Sequence, residues 1–121
     1  MSKPTTIKID DVEYVRKDLA PTPAPTLEGK KYVIVRTYSA GVFAGYLDSR
    51  NGQEVVLLKA RRLWQFFAAS LSELAQSGTP DVNKCKFPEE VDRVELLQAI
   101  EILDVTEKAK NSIDSVKVWK A

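Results

Sequence analysis

The chain has no histidine and a single cysteine in 121 residues. Without an imidazole, Ser-His-Asp and Cys-His catalysis are excluded, as are His-containing zinc or non-haem iron sites. Cys85 has no second thiol in the chain, so neither an internal disulfide framework nor a thiolate cluster is available. An excess of charge is also missing: 18 basic residues face 17 acidic ones, for a formal net charge of +1. Proteins that gain affinity by neutralising phosphates carry a basic excess or stripe, so nucleic acid is disfavoured as a partner unless a local patch exists. No run approaches the roughly 18 apolar residues of a membrane span, and Met1-Ser2-Lys3-Pro4 leads into polar residues rather than a signal core. The expectation is a cytoplasmic chain with no membrane partner and no cofactor. It would act by binding rather than as an enzyme.

What is present suffices for a core, with 44% hydrophobic and 29% charged residues. Thr6 to Arg16 alternates apolar and polar residues around Asp10-Asp11, the pattern of a small β-hairpin. Pro21, Pro23 and Pro25 follow at every second position, which prevents a helix. They suit an extended spacer or, alternatively, a docking peptide. The expected division is an N-terminal hairpin at 1–17, a Pro-rich linker at 18–29 and a main domain at 30–121.

In that domain Lys31 to Tyr38 is rich in β-branched and aromatic residues and predicts a strand. Ser39-Ala40-Gly41 breaks it, Val42 to Leu47 resumes, and Asn51-Gly52 marks a type I′ hairpin before the apolar stretch from Glu54 to Phe67. Ser70 and Glu73 have the capping-box spacing, with Gly78 and Pro80 as the stop of a short helix. Residues 90–105 fit either a strand or a helix, and their Val and Ile content favours a strand. Thr106 would cap a last helix from Glu107 to Ser115, with Ala109, Ile113 and Val116 facing inward. The fold class is therefore α+β: an antiparallel β-meander of three to five strands with two short helices. An exposed strand of that meander would allow a homo-oligomer through a sheet edge.

Several features have a chemical and a plain reading. Cys85 between Lys84 and Lys86 is either an activated thiol or an inert one in a loop. Gly41 and Gly45 are either part of a phosphate cradle or marks of a bulge and close backbone approach. The best candidate site is cationic and aromatic. Alternation puts Tyr32, Ile34, Arg36 and Tyr38 on one strand face, and Arg62, Trp64 and Phe66 on another with Arg61 opposite. Arg36, Tyr38, Arg61, Arg62 and Trp64 could clamp an anion while a ring stacks on a base. The plain alternative is arginine laid over rings or paired with Glu.

The strings Tyr32 to Gly45, Ala60-Arg61-Arg62-Leu63-Trp64, Ala69 to Ala75, Cys85-Lys86-Phe87-Pro88 and Thr106 to Lys110 carry a resemblance. Over most of residues 31–121 the chain resembles a family of small, functionally uncharacterised proteins of tailed bacteriophages and prophages. Where relatives often read Trp-Tyr-Trp-Asp-Gly-Ala-Ala, this chain has Trp64-Gln65-Phe66-Phe67-Ala68-Ala69, without the Gly and the acidic residue. The resemblance implies a phage origin and a host-cytoplasm setting, and no reaction. The expected function is a non-enzymatic accessory protein that binds a host protein or a small anionic ligand, for host takeover, counter-defence or sequestration of a nucleotide signal. The alternatives are a virion structural or assembly component and a nucleic-acid-binding accessory protein.

Overall fold

Tyr32-Val33-Ile34-Val35 is an unbroken apolar run because both faces of its strand are covered. A computed structural model describes residues 21–121, and the hairpin expected over 6–16 lies outside them. Five strands, β1 (Tyr32–Thr37), β2 (Val42–Asn51), β3 (Glu54–Arg62), β4 (Val91–Leu96) and β5 (Ala99–Asp104), form one antiparallel sheet. Two helices follow β3 and β5: α1 (Leu71–Ser77) and α2 (Glu107–Asp114). The expected α+β meander is thus the observed fold.

The strand order is β4-β3-β2-β1-β5, which puts β4 and β5 on opposite edges. Only Leu97 and Gln98 separate them in sequence. A chain reaches at most ~3.6 Å per residue, so the sheet must coil until its two edges meet at this turn. The Tyr38 N–H donates to Gln98 O at 2.9 Å and the Ala99 N–H to Gln53 O at 3.0 Å, which ties the meeting point together. Inside the coil lies one core, with Val33, Val35, Phe43, Val55, Leu57, Ala60, Leu96 and Ala99 drawn from all five strands. The other face of β1 and β2 carries a second core that includes Ile34, Ala44, Leu63, Leu74, Phe87, Ala109 and Ile113, roofed by the two helices.

Helix ends follow local chemistry. Ser70 Oγ accepts from the Glu73 N–H at 3.1 Å, and the Glu73 carboxylate accepts from the Ala69 N–H at 2.6 Å. Gly78 closes α1 with φ 87°, and a Cβ there would lie 2.4 Å from Ser112 Cβ, so the close approach at this end of α1 requires a glycine. Thr106 caps α2 as expected, accepting from the Ala109 N–H at 3.1 Å, and its hydroxyl donates to Gln76 O at 2.8 Å. Ala109, Ile113 and Val116 are buried.

Three expectations are corrected. Residues 90–105 are not one strand but two on opposite edges, since Leu97-Gln98 carries the chain across the seam. The β2–β3 turn is Gly52-Gln53, with Asn51 still paired to Glu54. Only Gly52 has a positive φ, the pattern of a type II′ rather than a type I′ turn. Finally, residues 22–30 are packed on the domain instead of spanning a gap. Ala24 is buried, its N–H donates to Val105 O at 3.0 Å, and Leu27 and Lys30 close a turn through Glu28 and Gly29.

Candidate functional site

Strand register decides which of the candidate residues can meet. In β1–β2 pairing Val35 faces Phe43 and Arg36 faces Val42; in β2–β3 pairing Phe43 faces Arg62. Cross-strand partners share a face, so Arg62 stands on the coil side with Phe43, and Arg36 stands on the opposite side. Arg36 Nε donates to Glu101 of β5 at 2.9 Å. Arg62 lies over the Phe43 ring at 4.3 Å and donates to Ala40 O at 2.5 Å. Tyr38, past the end of β1, is 76% exposed. The expected convergence of Arg36, Tyr38, Arg61, Arg62 and Trp64 on one anion pocket is therefore corrected: the sheet separates the two flanking arginines.

Arg61 has a different role again. Its partner across the sheet is Ala44, on the helix-covered face, and it is only 8% exposed. Its guanidinium makes four donor contacts to backbone oxygens: Pro88 at 3.2 Å, Phe87 at 3.2 Å, Ile113 at 3.1 Å and Val116 at 2.8 Å. Ile113 and Val116 lie at the C-terminal end of α2, where unpaired carbonyls and the helix dipole favour a cation. The Phe87 ring lies 5.3 Å from the guanidinium carbon. Burial pulls its affinity for the proton below the ordinary arginine value, while Tyr32, Asp114 and Glu90 push it back up. Arg61 thus joins β3, the 87–88 segment and the end of α2 in a planar fork that lysine does not reproduce.

The neighbouring segments build a surface instead. Gln65 bridges Lys86 in antiparallel fashion and Phe87 bridges Val118 in parallel, so residues 64–67, 84–87 and 117–120 lie side by side. The Trp119 N–H donates to Phe87 O at 2.9 Å and fixes the last of these segments. Trp64 and Trp119 then stack with centroids 5.0 Å apart and planes inclined by 8°. They stay 56% and 43% exposed. Lys86 Nζ lies 5.9 Å from one indole and 5.6 Å from the other, and Lys84 Nζ lies 4.5 Å over the half-exposed Phe67 ring. Among the described residues none of Lys84, Lys86, Lys117 and Lys120 has a carboxylate within 4.0 Å.

Of the sequence candidates, only Trp64 belongs to this patch. Trp119 and Lys86 were not singled out in the sequence, although Lys117-Val118-Trp119-Lys120 places a large aromatic among cations. Alternation failed past Arg62 because β3 ends there. Phe66 packs on the helix-side core while Trp64 turns outward. Cys85 is buried, with its sulfur accepting from the Phe67 N–H at 3.5 Å, and both flanking lysines reach aromatic rings. Gly45 marks close backbone approach: a Cβ there would lie 3.0 Å from Leu58 O and 3.1 Å from Ala60 Cα. Among the described residues no three Cys, Asp or Glu side chains gather as metal ligands, and no helix is long and apolar enough to cross a membrane.

A family model described as "Domain of unknown function (DUF6948)" matches residues 30–113, from the start of the sheet to the last turn of α2. No curated protein and no solved structure matches the chain.

Proposed function

The chain belongs to the DUF6948 family, whose description assigns no activity, and from that premise we propose a non-enzymatic binding protein, borne by a tailed bacteriophage and acting in the host cytoplasm on a host factor. The phage setting and the host-cytoplasm location rest on the sequence resemblance. The binding role rests on one observation, the exposed Trp64–Trp119 stack with the Lys86 ammonium near both rings. Two large aromatics held rigidly at a surface bury much area on contact at small entropic cost, and tryptophan is the residue most enriched at binding hot spots. The version in which arginines clamp a small anionic ligand loses its support, because Arg36, Arg61 and Arg62 are each engaged elsewhere and do not converge.

The non-enzymatic reading draws on the shifted groups as well. Perturbed ionisation marks catalytic centres when it occurs in an open cleft. Here Tyr32 is raised by burial in the core beneath α2. Lys110 is pulled down by burial but raised more by its hydrogen bond and charge pairing with Asp114, and Arg61 is the internal fork. Among the described residues these three shifts belong to one structural cluster.

The test is retention of a host component by immobilised protein, compared with Trp64→Ala/Trp119→Ala. A component held by the parent chain and released by the double substitution is expected. Identical retention by both chains contradicts the assignment of the binding surface.

A further inference from the structure

The chemistry of the patch narrows the kind of partner. Segments 64–67, 84–87 and 117–120 together carry Lys84, Lys86, Lys117 and Lys120 and no acidic residue. A chain of net charge +1 thus sets Lys84 and Lys86 beside three exposed aromatic rings, with Lys117 and Lys120 flanking Trp119 in sequence. The cations are all lysines. Protein–protein interfaces are depleted in lysine and enriched in arginine, whereas a phosphate oxygen is met well by a compact ammonium. The indoles are already stacked nearly parallel, at 8°, so the outer ring faces can extend that stack to a planar base. Bases of a duplex are stacked on each other and closed to such contact; those of a single strand are open.

We propose that the Trp64–Trp119 patch binds single-stranded nucleic acid without sequence preference, its bases continuing the indole stack and its phosphates meeting Lys84, Lys86, Lys117 and Lys120. This rests on the reading of the patch as the binding surface and names its partner. Near-neutral overall charge removes long-range attraction, so contact depends on this local set and weakens steeply with salt. Segments 64–67, 84–87 and 117–120 hold no arginine, so the patch reads no base edge in bidentate fashion.

Trp64 and Trp119 are the only tryptophans in the chain, so indole emission reports from the patch itself. The full chain is titrated at low salt with oligothymidine of about a dozen nucleotides, a length in the usual range of such sites. Saturable quenching is expected, with an apparent affinity that falls as salt rises. Trp119→Ala, checked for folding by circular dichroism, should weaken binding about tenfold, the effect of losing one stacking platform. Lys84→Ala/Lys86→Ala should lower the slope of log affinity against log salt by about 1.4, at ~0.7 per phosphate contact on a single strand. Equal quenching by a duplex of the same length overturns the single-strand assignment. Quenching by polyglutamate but not by oligothymidine overturns the nucleic-acid assignment and leaves the patch as the surface for an acidic protein. Absence of quenching by oligothymidine sinks the inference; the binding-surface reading falls only if retention of the host component is also unchanged in the tryptophan variant.

Discussion

Arg61 and Trp64 lie three residues apart and each joins a cation to an aromatic ring, yet they do opposite work. Around Arg61 every guanidinium contact ends on a backbone oxygen of the same chain, and the group is buried. Around Trp64 the rings face solvent, and the nearby ammonium groups are not consumed by carboxylates among the described residues. A cation satisfied internally holds the fold; a cation beside an exposed ring keeps its capacity for a partner. The division predicts that substitutions in the first region change stability and those in the second change binding.

The largest effect belongs to Arg61. Arg61→Ala removes the guanidinium donors of the Val116 and Pro88 oxygens, while Phe87 O keeps the Trp119 N–H and Ile113 O keeps the Val116 N–H. It should lower the unfolding free energy by about 3–5 kcal/mol, at about 1–3 kcal/mol for each buried acceptor left unmet. Denaturant unfolding followed by circular dichroism reads this directly. An intact stability would move Arg61 out of the structural class.

Next comes the contact between the helices that Arg61 helps to anchor. Gly78→Ala puts a Cβ against Ser112 at 2.4 Å in a backbone with φ 87°, and should destabilise by about 2 kcal/mol through clash and left-handed strain. Adding Ser112→Gly should recover part of that loss, because only the clash is relieved. Full additivity of the two changes would show that the helices adjust independently.

A third effect is alkaline. Tyr32 is buried and its pKa is raised above the ordinary tyrosine value of about 10, first by desolvation and then by the charges of Asp114, Tyr46 and Glu90. The folded state keeps its proton where the unfolded state loses it. Its contribution is therefore fully present below pH about 10 and lost as pH rises, at up to ~1.4 kcal/mol per pH unit. Lys110 works in the same direction, since its raised pKa keeps the ammonium paired in the folded chain. Tyr32→Phe should flatten the fall in stability above pH 10; an unchanged alkaline limb would assign the loss to other groups.

A smaller stability effect is expected where the largest binding effect lies. Trp64→Ala/Trp119→Ala removes one exposed stacked pair and should change the unfolding free energy by about 1 kcal/mol, while retention of the host component disappears. A stability loss comparable to that of Arg61→Ala would join the two regions into a single structural network.

How much of this was legible in the sequence follows from how local each feature is. Ser70 with Glu73, Thr106, Gly78 and the inward set Ala109, Ile113 and Val116 are settled within one or two helical turns, and the structure has them as expected. The β-rich character of Tyr32–Thr37 is equally local. The seam at Leu97-Gln98 is not, because it depends on the coiling of five strands and on Gln53 meeting Ala99. Arg61 escaped for the same reason: its acceptors Ile113 and Val116 lie 52 and 55 residues away. The alternation that grouped Arg62, Trp64 and Phe66 assumed a strand beyond Arg62 and ignored the positive φ of Lys59, where β3 departs from regular pleating. The patch itself needed Trp119 brought alongside Trp64 through Phe87, a contact between segments that no periodicity encodes.

The most direct test of the division between the two regions is the unfolding free energy of Arg61→Lys set beside that of Lys86→Ala. Arg61→Lys keeps the charge but loses the fork, and a loss of about 3 kcal/mol is expected. Lys86→Ala removes a half-buried surface cation, and a change within about 0.5 kcal/mol is expected. Equal losses in the two variants would contradict the assignment of Arg61 to the fold and of Lys86 to the binding surface.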